Sequence, residues 1–140
     1  MEKNNPNAKY FDFGEYTHLY QRIAADTGEF AKEDADNVQE AVNSCLQYVN
    51  FVDIGENRIK RTQVALECGD IDIAEFQETL QSYDSGRRAK HQDAIASVNM
   101  LNRISALYGC GKVYTGSEDR LEIADFCLEV TIELFRNRNK

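Results

Sequence analysis

The stretch RRAKHQDAIASVNMLNRISALYG, from Arg87 to Gly109, decides the fold class of this sequence. Apolar and small residues recur in it three or four positions apart, the spacing that places side chains on one face of an α-helix. Asp84 or Ser85 could cap the beginning of this helix, and Gly109 could end it in a left-handed C-cap. The stretch therefore predicts an amphipathic helix with one buried face. The residues of that face are Ala94, Ile95, Val98, Leu101, Ser105 and Tyr108.

Two polar residues, His91 and Asn102, lie in or beside this apolar face, and buried polar groups need hydrogen-bond partners. The structural interpretation makes His91 a histidine at the edge of the core, bonded to a backbone carbonyl or a side chain. The functional alternative starts from Arg88, which lies three residues before His91 on the same face. A guanidinium and an imidazole there could together bind a phosphate or a carboxylate. We therefore name Arg88, His91 and Asn102 as candidate ligand-binding residues.

Two more helices are predicted before this stretch. Aromatic and aliphatic residues at helical spacing indicate a short first helix from about Phe13 to Asp26. A second helix should begin near Glu33 or Asp34, where acidic residues favour the positive end of the helix dipole. Its apolar stripe weakens beyond Gly55, so the helix either bends at this glycine or continues to Glu67. We expect the helix to continue and leave a bend at Gly55 open.

The rest of the chain adds one or two helices. Asp72-x-x-Glu75 matches a capping box and predicts the start of a third helix. The segment Asp84-Ser85-Gly86 leaves open whether helices 71–83 and 85–108 are separate or form one long helix. After a glycine-containing loop, Thr115-x-x-Glu118 matches a second capping box and predicts a last helix from about Ser117 to Phe135. Apolar residues cover most of its circumference, so it should pack between several partners.

The fold class predicted by these patterns is all-α. Four to five helices joined by short connections imply an antiparallel bundle, built around the stripes that contain Val38, Ile95 and Leu121. The length of 140 residues fits one ordinary domain. We expect residues 10–140 to form a single helical-bundle domain and residues 1–9 to form a flexible N-terminal tail.

Charge and cysteine usage exclude several classes of protein. The formal net charge of −8 makes nucleic acid an unlikely partner, because nucleic-acid affinity comes from clustered Lys and Arg. No apolar run approaches the ~20 residues that span a bilayer, so we expect no membrane partner. The four cysteines form no C-x-x-C pair and no secretory leader precedes them, which predicts reduced thiols and a cytoplasmic location. A disulfide between helices is the less favoured alternative.

Motifs for catalysis are weak, and the enzyme question stays open with non-enzymatic function favoured. Glu15-x-x-His18 has the spacing of a di-iron ligand pair, but that site needs a second such motif, which the sequence lacks. Glu75-x-x-Glu78 and Glu122-x-x-Asp125 resemble the Mg²⁺-binding motifs of helical nucleotide pyrophosphatases. They are too far apart in sequence for that family's pattern. We therefore expect no cofactor and no bound metal.

Three segments carry a resemblance to a known group of proteins. HQDAIASVNMLNRI, NFVDI at residues 50–54 and DRLEIADFCLEV at residues 119–130 resemble small bacterial proteins catalogued only as uncharacterised. The resemblance covers roughly the last two thirds of the chain. It implies a bacterial, cytoplasmic, helical protein and assigns a role to no residue.

By elimination, the sequence predicts a non-enzymatic helical interaction or oligomerisation module. Its partner would be a second copy or another protein, with a homodimer favoured over a monomer. The aromatic segment from Tyr10 to Tyr20 and the extension after Gly55 offer surfaces that a lone bundle does not cover. The alternative is a helical protein that binds a small anion or a nucleotide, extending to a Mg-dependent nucleotide pyrophosphatase-like enzyme.

Overall fold

The structure, a computed structural model, describes residues 8–138, with side chains up to residue 135. It contains four helices and confirms the all-α prediction. Most of the proposed flexible tail lies outside the described residues, but the N–H of Lys9 is bonded to Glu129 at 3.0 Å. The helices are α1 (Phe13–Ala25), α2 (Ala31–Glu67), α3 (Ile73–Leu107) and α4 (Arg120–Arg138).

The helix ends agree only in part with the capping residues predicted from the sequence. The carboxylate of Asp72 accepts the N–H of Glu75 at 2.9 Å, which confirms Asp72 as the N-cap of α3 and is one of the two bonds of a capping box. The predicted box at Thr115 is wrong. Thr115 instead donates its N–H to the carbonyl of Tyr10, which ties it to the N-terminal segment. Asp119 takes the capping role, accepting the N–H of Leu121 at 2.9 Å.

Helices α2 and α3 are each continuous, which resolves the two alternatives left by the sequence. Gly55 lies inside α2 and Gly86 lies inside α3. Asp84 and Ser85 lie inside α3 and are therefore not N-caps. The prediction that one of them caps the helix containing Arg87 is wrong. The Asp84 carboxylate instead forms ion pairs along its own helix, with Arg87 at 2.6 Å and Arg88 at 2.9 Å.

The buried core lies at one end of the α2–α3 pair, where α1 and α4 also pack. No residue between positions 49 and 93 is fully buried. We call residues 49–93 the arm, because these halves of α2 and α3 extend beyond the core as an antiparallel pair of helices. The rest of the described chain is the head. Its largest fully buried apolar side chains are Tyr48, Phe126, Leu19, Leu101, Ile123, Val38, Val98 and Val113.

The predicted core stripes are only partly correct. Val38 is fully buried and Ile95 is half-buried, but Leu121 is 63 % exposed. Because α4 is apolar on two opposite sides, its periodicity could not show which side meets the core. The buried side consists of Ile123, Phe126, Cys127 and Val130, and the exposed side consists of Leu121, Leu128, Ile132 and Phe135.

Candidate functional site

The structure separates the three candidate ligand-binding residues. His91 and Asn102 both lie on α3 but are eleven residues apart, which is about 16 Å along a helix. The Arg88 side chain is 75 % exposed and paired with Asp84. Asn102 therefore lies apart from Arg88 and His91, and anion binding by these residues stays a prediction.

His91 lies at the junction of the arm and the head. Its ring contacts the ring of Tyr48, with centroids 6.3 Å apart, and its Nε2 atom is buried without a hydrogen-bond partner among the described residues. Burial lowers the pKa of His91, and the positive charges of Arg120 and Arg87 lower it further. Burial and these two cations favour the neutral form of the imidazole, and Arg87 and Arg120 are the cations whose charges act on it.

This lowered pKa gives His91 a pH-dependent effect on stability. The unfolded chain binds the proton more readily than the folded chain, so the contribution of His91 is complete above about pH 6.5 and is lost as the pH falls below it. We expect the melting temperature of His91→Gln to approach that of the parent as the pH falls from about 8 to about 5. Thermal unfolding across this range measures it. A pH-independent difference would contradict the assignment.

Asn102 has a structural role that uses its whole side-chain amide. Its Oδ1 accepts the N–H groups of Val113 and Tyr114 at 2.9 and 3.0 Å, and its Nδ2 donates to the Tyr114 carbonyl at 2.9 Å. The expectation that this buried polar residue has partners is confirmed. Those partners belong to the loop between α3 and α4, so Asn102 holds that loop against α3.

Glu129 is an organising residue that the sequence did not indicate. Its Oε1 accepts three consecutive backbone N–H groups, those of Lys9, Tyr10 and Phe11, at 2.9–3.0 Å. Hydrogen bonds to a charged acceptor are among the stronger ones in proteins. In the sequence, Glu129 is one of several acidic residues spaced along the last helix, and nothing local distinguishes it from the others. Its contacts come from a segment almost 120 residues away.

The described residues contain one cluster that could hold a metal. Glu15, His18 and Cys110 place one ligand atom each within 4.8 Å of the others. The sequence motif Glu15-x-x-His18 lacked further ligands nearby, and the fold supplies Cys110 from the other end of the chain. The expectation that no metal binds stays a prediction, and this cluster offers an alternative to it.

The acidic motifs Glu75-x-x-Glu78 and Glu122-x-x-Asp125 lie on different helices and make different contacts. Glu75 and Glu78 line a groove on the arm, whereas the carboxylate of Glu122 accepts the N–H and hydroxyl of Ser117. Among the described residues, these carboxylates do not join the metal-ligand cluster. A Mg²⁺ site shared by the two motifs is therefore not formed in this structure.

The arm carries an open groove of about 810 Å³ between α2 and α3. Phe51 and Tyr83 stack in its wall with ring centroids 5.8 Å apart and planes within 3°. Ile54, which also lines the groove, is 58 % exposed. The charged residues in the lining are Arg58, Glu75, Glu78 and Lys90.

Comparison with models of known protein families finds one that matches this chain. Residues 13–140 match the model of a family described as a protein of unknown function, DUF3232. The chain belongs to the DUF3232 family. No curated protein and no solved structure matches it. The DUF3232 match begins with α1 and includes both the metal-ligand cluster and the arm, and it confirms the resemblance to an uncharacterised family.

None of the helices in residues 8–138 has the length and apolar character needed to cross a membrane. All four cysteines of this DUF3232 chain carry free thiols in the structure.

Proposed function

We propose that this protein is a non-enzymatic interaction module of the bacterial cytoplasm that self-associates through its arm. In this proposal residues 10–140 act as one helical domain. The observation that carries the proposal is the arm itself: 45 consecutive residues, positions 49–93, which form two paired helical segments and the turn between them without one fully buried residue. Two helices pack only one face against each other, and in helical proteins the remaining apolar faces are covered by further helices.

A second copy of the arm is the occupant that fits this surface best. Two arms placed face to face form a four-helix bundle, the arrangement in which paired helices cover their apolar residues. Ile54, Phe51 and Tyr83 in the groove would then be buried against the partner. A two-fold axis makes such an interface self-complementary, as in most homodimers.

In this proposal the positions of Lys90, Glu75 and Glu78 along the groove favour an antiparallel pairing, and Arg58 is the other cation of the lining. Lys90 lies at the end next to the head, whereas Glu75 and Glu78 lie toward the tip, about 18–22 Å away along α3. An antiparallel dimer places Lys90 of each copy beside the acidic tip of the other. A parallel dimer would place like charges together, which costs free energy.

Light scattering and sedimentation at micromolar concentration test the proposal on the full chain. We expect a dimer, and we expect Ile54→Glu to raise its dissociation constant at least tenfold, because an unpaired carboxylate would be buried. Lys90→Glu alone, or Glu75→Lys with Glu78→Lys, should also weaken the dimer. All three charge changes together should restore it, since the opposite charges face each other again.

The matched control is Leu128→Glu, which places the same charge on the exposed apolar side of α4. It should leave the dimer intact. A monomeric parent, or a dimer that Leu128→Glu disrupts and Ile54→Glu does not, would overturn the proposal. The second result would move the interface to α4, where Leu121, Leu128, Ile132 and Phe135 are all exposed.

Binding of a small anion or nucleotide is the alternative function, and it has less support. It would have to use His91 with Arg87 and Arg120, whose charges act on that imidazole. Arg88 and Asn102 are engaged elsewhere, and Arg87 is already paired with Asp84.

A further inference from the structure

Three side chains of different chemistry converge where α1 meets the turn after α3. Glu15 and His18 lie one turn apart on α1, and Cys110 faces them from the turn. Their ligand atoms all lie within 4.8 Å of one another. We propose that this cluster binds one divalent transition-metal ion, with zinc as the best match. All three side chains are half-buried, so an ion can reach them from solvent.

The end of α3 is built to present the Cys110 thiol. Gly109 has a φ of +73°, the left-handed conformation that glycine adopts without strain. The N–H of Gly109 donates to the carbonyl of Ala106 at 3.1 Å and the N–H of Cys110 donates to that of Ser105 at 2.9 Å. This pair of bonds is the Schellman motif, which reverses the chain at a helix end. The reversal carries Cys110 back to α1.

The distance between the sulfur and nitrogen ligands fits a shared ion. The Sγ of Cys110 lies 3.7 Å from the Nδ1 of His18. Tetrahedral zinc, with Zn–S near 2.3 Å and Zn–N near 2.0–2.1 Å, separates these two atoms by about 3.6 Å. A metal can therefore be seated with little movement of either side chain.

The carboxylate of Glu15 is already oriented toward the cluster. Its Oε2 accepts the N–H of Gly111, the residue after Cys110, at 2.8 Å. Bonds of this kind fix metal-ligating carboxylates in place and contribute to affinity. The same contact also holds the Cys110 turn against α1, so the thiol and the carboxylate are positioned together.

The chemical types of the three ligands favour zinc over calcium and magnesium. A thiolate, an imidazole and a carboxylate are the three protein ligand classes of zinc, and the two anionic groups balance its charge. Calcium and magnesium prefer sites made only of oxygen atoms. Three protein ligands leave a fourth tetrahedral position for water.

A cysteine nucleophile activated by His18 is the competing assignment, and the geometry disfavours it. Such a base is held by a third group on its other ring nitrogen, usually a carboxylate. Here the Nε2 of His18 accepts a hydrogen bond from the Nε of Arg22 at 3.2 Å. With Nε2 as the acceptor, the neutral ring carries its proton on Nδ1. A metal on Nδ1 would move this proton to Nε2, so Arg22 must release its bond when the metal binds.

The test uses the untagged full chain, stripped of metal and titrated with Zn²⁺ against a chromophoric chelator. We expect one ion per chain, with Cys110→Ser and His18→Gln each weakening binding at least about a hundredfold. Co²⁺ should give a sulfur-to-cobalt charge-transfer band that Cys110→Ser abolishes. Cys68→Ser, which changes an exposed thiol at the end of α2, is the matched control and should keep both affinity and band.

Arg22→Gln gives a second, opposite readout. It removes the neighbouring cation and offers an acceptor for the Nε2 proton, so zinc affinity should rise about tenfold. Circular dichroism of every variant confirms that the helices remain. Unchanged zinc affinity in Cys110→Ser, or a cobalt band that survives it, would overturn the proposal. Weaker zinc binding in Arg22→Gln would also count against it.

Discussion

Replacement of Asn102 by alanine is expected to lower the free energy of unfolding by about 2–4 kcal/mol. The substitution removes the acceptor of two backbone N–H groups and the donor to one carbonyl. Val113 and Tyr114, which carry these groups, are almost completely buried, at 0 % and 3 % exposure. A buried donor left without a partner costs about 1–3 kcal/mol, so the loss exceeds that of an ordinary surface hydrogen bond.

Urea unfolding monitored by circular dichroism measures this loss. Asn99→Ala is the matched control, since Asn99 is exposed on the same helix, and it should change the stability by less than about 0.5 kcal/mol. Asn102→Asp keeps the acceptor but turns a carboxylate oxygen toward the Tyr114 carbonyl. It should therefore destabilise more strongly as the pH rises and the carboxylate ionises. An Asn102→Ala chain as stable as the parent would show that water replaces the amide.

The sequence identified the polar positions of α3 correctly but not what they contact. A polar residue inside an apolar stripe is visible from helical spacing alone, which is why Asn102 and His91 could be named. Asn102 bonds to the loop before α4, whereas the ring of His91 contacts Tyr48 on α2 and lies within the influence of Arg120 at the start of α4. Tertiary packing decides which segments of the chain meet. The spacing of residues along one helix does not reveal these contacts. The pairing of His91 with Arg88 was inferred from spacing alone and stays a prediction, whereas the charges that act on His91 in the structure are those of Arg87 and Arg120.

The metal-ligand cluster was likewise only partly visible in the sequence. Glu15-x-x-His18 was visible as a local motif and was judged only against a second copy of itself. Cys110 lies more than ninety residues further along, and its approach depends on the turn at Gly109. Gly109 was recognised as a helix end, which was the one local signal available. Nothing in the sequence indicated that this turn faces α1.

The interior glycines of α2 and α3 were the main uncertainty of the sequence-based fold. Glycine lowers helix propensity, so Gly55 and Gly86 suggested a bend and a turn. In the structure each one faces an aromatic ring of the opposite helix, Tyr83 for Gly55 and Phe51 for Gly86. The glycines therefore serve the close approach of the two helices along the arm. This reciprocal arrangement can be recognised only when the register of the two helices is known.

Gly55→Ala and Gly86→Ala are each expected to destabilise the chain by about 1–3 kcal/mol, although alanine is favoured over glycine in a helix by about 1 kcal/mol. A Cβ on Gly55 would lie less than 3.0 Å from the Tyr83 ring, and one on Gly86 would lie equally close to the Phe51 ring. Either the rings must leave their stacked position or the two helices must separate. Urea unfolding of both variants measures the effect.

A double-mutant cycle separates this clash from helix propensity. In a Tyr83→Ala background the ring is absent, so Gly55→Ala should become neutral or stabilising by up to about 1 kcal/mol. Phe51→Ala should reverse the sign of Gly86→Ala in the same way. Because each glycine is paired with its own ring, Phe51→Ala should not rescue Gly55→Ala. If alanine stabilises the chain at both positions in the parent background, the rings do not rest on the glycines, and the two helices of the arm pack at a greater distance.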